Sequence, residues 1–273
     1  MVDVRVTADI PYADVDGETL YLNLYQPEIE GPLPVVLYVH GGAFQFGDRA
    51  TDAEQRLMPL AAYGIAVASV DYRLAPKSTF PAQVHDVKAA VRWVRARGHE
   101  YGLSTDRVGV FGSSAGAVLG SLVALTPGDK ELEGPVVEHL DQSSAVDAVV
   151  HWFAPAEFIS TRSRSPFESR ILPPRTEDVF FGAGSEEEMD AIATSASLIP
   201  RLSPEAPPFL IAHGDRDRLI PVAQGEAFHS AISAAGGRSV FLCLAGAGHE
   251  DPAFNRPSNL AMTAAFLRAE LLR

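Results

Sequence analysis

The chain has 273 residues, 47% of them hydrophobic, and a formal net charge of −13. That length and apolar content suffice for one substantial core, while the acidic field repels a polyanion and so excludes nucleic acid as a partner. The single cysteine, Cys243, leaves no internal disulfide and reads as a buried structural thiol in a strand. No charge-free run is long enough to span a bilayer, and the N-terminus lacks a basic segment followed by a long apolar one, so a cytoplasmic protein without membrane attachment is expected.

In chain order, Val2 to Ile10 and Thr19 to Tyr25 alternate about Asp16-Gly17, which predicts a hairpin of peripheral strands. Two apolar runs, Val35 to Val39 and Ile65 to Val70, read as buried strands flanking a helical segment around Asp52 to Tyr63. Val84, Val87, Val91 and Val94 recur near helical spacing and predict an amphipathic helix over Ala82 to Arg97. A strand through Val108 to Phe111, a helix Ala115 to Leu125 and a strand Val146 to Phe153 follow. Strands Pro208 to Ala212 and Ser239 to Leu244 and a final helix Ser258 to Leu272 complete the alternation, which implies a mostly parallel sheet with helices on both faces. Trp93 and Trp152 read as core.

The chemistry concentrates in the loops after these strands. Gly112-Ser113-Ser114-Ala115-Gly116 is a G-x-S-x-G pentapeptide between a strand and a helix, where a sharp turn holds Ser114 Oγ out beside the helix N-terminus. A serine hydroxyl is a weak nucleophile, so it needs a base, a group to orient that base, and donors for an oxyanion. His249, in Ala245-Gly246-Ala247-Gly248-His249, is the candidate base, and Asp217 or Asp215, after the strand ending at Ala212, is the candidate acid. The strand ending at Val39 runs into His40-Gly41-Gly42-Ala43-Phe44, whose glycine pair lets the Gly42 and Ala43 amides, with that of Ala115, turn towards the serine as an oxyanion hole. Ser113 reads as a hydrogen-bonding neighbour. His85, His139, His151 and His229 have no metal-ligand spacing, and no phosphate-binding glycine motif occurs, so neither metal nor cofactor is expected.

With these residues in place, the chain resembles the α/β-hydrolases of the esterase/lipase branch: hormone-sensitive-lipase-like carboxylesterases, acetyl and feruloyl esterases, and kynurenine formamidases. The likeness extends over nearly the whole chain, including Asp71-Tyr72-Arg73-Leu74-Ala75-Pro76, Phe80-Pro81-Ala82 and His213-Gly214-Asp215-Arg216-Asp217 with Pro221. Phe44 stands where the formamidase pattern has tryptophan, which weighs against that activity. Ala43 replaces the third glycine of the lipase pattern, and the hole stays intact because a backbone amide is what acts. The resemblance implies Asp217 rather than Asp215 as the acid, His40 as an orienting group for the oxyanion loop, and a similar structural part for His213. It also implies a single α/β-hydrolase domain over 1–273, with a lid over 156–204. Within that segment lie Arg162, Arg164, Arg170 and Arg175, with Glu168 the acid among them; they read either as an attractor for an anionic substrate or as a solvated loop.

The function expected is therefore a serine carboxylesterase acting on a small-molecule ester through an acyl-enzyme, with Phe44 and Phe46 as substrate-binding residues that crowd out a long acyl chain. Amide-bond hydrolysis, by an arylformamidase-like or peptidase-like relative, uses the same catalytic residues and stays open. A non-catalytic small-molecule receptor on this fold is the third class, and retention of Ser114, Asp217 and His249 argues against it. The edge after the last strand and the C-terminal helix form a candidate homodimer surface.

Overall fold

A computed structural model describes residues 2–159, 176–182 and 184–273. Eight strands form one sheet in the order β1-β2-β4-β3-β5-β6-β7-β8. The chain enters through a hairpin, β1 (Val4–Val15) and β2 (Glu18–Pro27). Asp16 and Gly17 make its turn, both with positive φ (53° and 79°), the geometry that matches the twist of two antiparallel strands and the reason an Asp-Gly pair stands there. β2 runs antiparallel to β4 (Ala66–Val70), and every later pairing is parallel. β3 (Leu33–Val39) is wholly buried, as is typical of a parallel strand covered on both faces.

Alternate residues of each strand serve opposite layers. Val35, Leu37 and Val39 join a cluster with α2 (Ala82–Arg97) and α3 (Ala115–Leu125), while Val36 and Tyr38 join one with α1 (Met58–Ala61) and a C-terminal helix over Pro257–Leu271. The chain goes from β3 to β4 on one side and returns to β5 (Leu103–Ser113) on the other. The loops leaving β3 and β5 thus face each other at the switch point of the sheet, where folds of this kind place their ligand site. After α4 (Lys130–Glu133) come β6 (Ala148–Trp152), α5 (Thr176–Phe181), α6 (Glu186–Ala196), β7 (Phe209–Gly214), α7 (Ala223–Ala234), β8 (Ser239–Leu244) and the C-terminal helix, α8. This is the α/β-hydrolase fold.

Two sequence expectations need correction. Cys243 is exposed, because β8 is an edge strand of the sheet and is only partly covered. Helix α2 was expected to show a solvated polar face, yet Asp86, Lys88 and Arg92 are buried with the valines. Lys88 and Arg92 pair with Glu133 of α4 at 2.9 and 3.1 Å. Asp86 receives the Arg73 N–H at 2.9 Å and its Nη2 at 2.8 Å. Burial pushes the Asp86 carboxyl up, against those hydrogen bonds. Asp86→Ala strands the Arg73 guanidinium, whose other carboxylate partner, Asp16, is exposed, and is expected to cost about 3–5 kcal/mol. A urea midpoint that moves by under about 1 kcal/mol would show the pair to be dispensable.

The segment expected as a lid, 156–204, falls partly outside the described residues: Arg162, Arg164, Arg170, Arg175, Glu168 and Pro166, Pro173 and Pro174 lie there. Its described parts include helices α5 and α6 and a short turn, Ile199–Arg201, and α6 opens on a capping box in which Ser185 Oγ accepts the Glu188 N–H at 3.2 Å while Glu188 accepts the Ser185 N–H at 3.1 Å. Among the described residues no helix is long and apolar enough to cross a membrane.

Candidate active site

Three loops at the C-terminal edge of the sheet meet at Ser114. The turn after β5 holds Ser114 at φ 50°, ψ −122°, a conformation costly for any residue with a side chain. Two glycines make it possible. A Cβ on Gly112 would stand 2.3 Å from the Gly116 carbonyl group, and one on Gly116 would stand 2.0 Å from the Val39 oxygen, so helix α3 approaches β3 and β5 only because both lack one. The Ser114 N–H donates to the Trp152 carbonyl at 3.0 Å, fixing the elbow to β6.

His249 Nε2 lies 2.9 Å from Ser114 Oγ, and His249 Nδ1 lies 2.7 Å from Asp217 Oδ2. A carboxylate only accepts, so Nδ1 carries the proton and Nε2 is left with its lone pair towards the serine hydroxyl. Asp217 has no side-chain exposure. Burial raises its pKa, but hydrogen bonds from His213, His249 and the Ile220 amide outweigh burial and hold it well below the usual carboxylate range. Its second oxygen, Oδ1, accepts the Leu219 and Ile220 N–H groups at 2.9 and 2.8 Å. Asp215 is placed elsewhere: its Oδ1 accepts the Gly246 N–H at 2.6 Å and ties the loop after β7 to the one after β8. His213 Nε2 sits 2.9 Å from the Ile220 carbonyl and 3.4 Å from Asp217 Oδ2, beneath that turn.

The loop after β3 lies across from the elbow. Gly42, Ala43 and Phe44 all have positive φ (117°, 53° and 63°). Its turn is closed by the Gln45 and Phe46 amides donating to the Gly42 carbonyl at 3.0 and 2.9 Å. The amides of Gly42, Ala43 and Ala115 have no acceptor among the described residues. His40 is buried, stacked on Tyr72 at 4.3 Å, and its Nδ1 lies 2.7 Å from the Gly41 oxygen. Burial lowers the His40 pKa, so it is a neutral ring that shapes the loop. Phe46 is exposed, whereas Phe44 is covered by Phe180 of α5, ring on ring at 3.7 Å.

Several neighbours had no sequence signal. Phe153, at φ 38° after β6, sets its ring edge-on to His249 at 5.1 Å. Glu250 follows His249 at φ 53°, and burial raises its carboxyl pKa although Arg56 opposes this. Phe180 was hidden in a stretch with no periodic pattern. Only Ser113 was anticipated among these contacts, and its Oγ lies 3.1 Å from the Tyr38 hydroxyl.

A family model described as BD-FAE matches residues 22–232. The chain belongs to the BD-FAE family. Among relatives, esterase LipC of Mycobacterium tuberculosis (strain ATCC 25618 / H37Rv) is 37% identical over 80% of this chain and 53% of its own length. The chain thus spans about half the length of the curated relatives it matches. A truncated carbohydrate esterase from gut microbiota superposes with a TM-score of 0.88 at 26% identity, covering 98% of this chain and 97% of that one. Esterase Est2 of Thermogutta terrifontis, seen with propionate bound, superposes with a TM-score of 0.72 at 25% identity over 98% of this chain and 91% of its own. The BD-FAE match spans the elbow, the loop after β3 and Asp217, and ends before His249.

Proposed function

We propose that the chain is a serine carboxylesterase with Ser114 as nucleophile, His249 as general base and acid, and Asp217 as the group that orients it. The observation that carries this is the line from Ser114 Oγ through His249 to Asp217, with separations of 2.9 and 2.7 Å. As Ser114 Oγ forms its bond to the substrate carbonyl carbon, its proton passes to His249 Nε2, and the carbonyl oxygen becomes an oxyanion held by the Gly42, Ala43 and Ala115 amides. Collapse breaks the ester C–O bond, and His249 returns the proton to the leaving alcohol. Water then repeats the cycle on the acyl-enzyme: His249 takes its proton, the carboxylic acid departs, and Ser114 recovers its hydrogen. The imidazolium formed in each half is balanced by Asp217, which stays ionised because its pKa is depressed.

Short acyl groups suit the site best. The Phe44 and Phe180 pair walls the oxyanion loop, and Est2 is a relative seen with a three-carbon acid. The same contact supports reading 156–204 as a lid within a single domain, since Phe180 belongs to that segment. Hydrolysis of p-nitrophenyl esters from acetate to decanoate is expected to peak among the shortest and to exceed that of a formyl-anilide or an aminoacyl-anilide. Faster anilide cleavage would make the enzyme an amidase, and a folded protein inert towards all of them would not be a hydrolase.

The oxyanion loop gives a further check. A Cβ on Gly42 would stand 2.1 Å from the Phe46 oxygen at a φ of 117°, so Gly42→Ala must unwind the turn. It is expected to lower kcat by about 10²- to 10³-fold, the usual cost of one oxyanion donor. A kcat within about threefold of wild type would remove this loop from the hole.

A further inference from the structure

Behind the three loops lies one buried guanidinium, that of Arg56. It arises from a single wide turn, Ala53–Leu57, in which the Leu57 N–H reaches back to the Asp52 carbonyl at 3.2 Å. Turns of this kind are frequent at functional sites. Arg56 Nη1 donates to the Tyr38 hydroxyl at 2.7 Å and to Asp52 Oδ2 at 2.6 Å, and Nε donates to Asn255 Oδ1 at 2.8 Å. Nη2 lies 3.6 Å from Glu250 Oε2, and the plane rests 5.1 Å over the Trp152 ring. Asp52 is the nearer and more deeply buried of its two carboxylate partners.

The remaining contacts sort by loop. Tyr38 stands two residues before His40, and its hydroxyl lies 3.1 Å from the Oγ of Ser113, the residue before the nucleophile. Glu250 is the residue after His249, and Asn255 closes the turn that follows. Trp152 carries the carbonyl that receives the Ser114 N–H. One planar group therefore touches the supports of the oxyanion loop, the elbow and the histidine loop together. Resting on the triad reading above, we propose that Arg56 is a positioning residue that sets the distance between Ser114 and His249, through Tyr38–Ser113 on one side and Glu250 and Asn255 on the other. An ammonium at this position keeps the charge but not the fan of fixed donors.

The test compares wild type, Arg56→Lys, Glu250→Gln and Asn255→Ala on p-nitrophenyl acetate, well below each melting temperature, with Ser114→Ala in the same assay. Arg56→Lys is expected to keep its fold by circular dichroism and its KM, and to lose about 10²-fold in kcat, the usual cost of a displacement near 1 Å among reacting groups. Glu250→Gln and Asn255→Ala are expected to give smaller kcat losses at unchanged KM, and the Arg56→Lys/Glu250→Gln double variant to fall less than the product of the singles. Wild-type kcat in folded Arg56→Lys, with a lowered melting temperature only, overturns the inference by making the cluster purely structural. Should Arg56→Lys not fold, Glu250→Gln and Asn255→Ala decide it in the same way. Ser114→Ala separates the two levels: full activity there overturns the triad itself, whereas a dead Ser114→Ala beside an unaffected Arg56→Lys overturns only the role of Arg56.

Discussion

Ser114→Ala is expected to lower kcat by about 10⁴- to 10⁶-fold, because among the described residues Ser114 alone holds a hydroxyl within hydrogen-bond distance of His249. Residual turnover over water is expected from the amides proposed for the oxyanion, which the substitution leaves in place. The same position separates chemistry from strain. With φ at 50° and ψ at −122°, the serine backbone is held where side chains are disfavoured, and the elbow keeps that conformation through Gly112, Gly116 and the Trp152 carbonyl. Ser114→Gly is therefore expected to be as inactive as Ser114→Ala and about 1 kcal/mol or more stable than it. Assay and thermal melting of the two variants side by side check both statements. Wild-type kcat in either variant would exclude Ser114 as the nucleophile, and equal stabilities would mean that the elbow relaxes once its hydroxyl is gone.

What the sequence made legible was what short-range physics decides. Asp16-Gly17 specifies its turn locally, the uninterrupted apolar run of β3 declares burial on both faces, and G-x-S-x-G declares a close approach of helix to strand. The loops after successive parallel strands bring Ser114, Asp217 and His249 to one edge, and the choice of Asp217 over Asp215 came from the family resemblance, not from a local signal. Less legible was whatever depends on distant partners. Helix α2 shows a valine stripe, but nothing local says that Asp86, Lys88 and Arg92 are buried too, since Arg73 and Glu133 come from other elements. Asp52 and Arg56 form an i,i+4 pair with the look of an ordinary surface bridge, and nothing local tells of its burial or of the bond from Arg56 to Asn255, 199 residues away. Cys243 sits in an apolar run that is readable as a strand, but the sequence does not declare which strand is the sheet edge. Helix α6 did carry a signal in Ser185 and Glu188, a capping box obscured by the prolines around it.

Asp217→Asn is expected to lower kcat by about 10⁴-fold with the fold retained, and the hydrogen bonds around the carboxylate say why. Oδ1 accepts two amides, from Leu219 and Ile220, a pair of bonds that an asparagine keeps only by placing its carbonyl oxygen there. Its NH₂ must then face His249 Nδ1, which can pair with it only as an acceptor. The ring proton moves to Nε2, where it meets Ser114 Oγ, and the histidine has no lone pair left for the serine proton. Asp215→Asn has no such conflict, because an amide oxygen still accepts the Gly246 N–H, and its kcat is expected to stay within about threefold of wild type. A larger loss in Asp215→Asn than in Asp217→Asn would exchange their roles. The same carboxylate marks stability against pH. Its folded pKa lies below its unfolded one, so the stabilisation it contributes is complete above about pH 4 and is lost as pH falls through the folded value. Acid titration of the folding free energy should accordingly be flatter below about pH 4 in Asp217→Asn than in wild type. Parallel curves would mean that the hydrogen bonds holding Asp217 ionised persist in the unfolded chain.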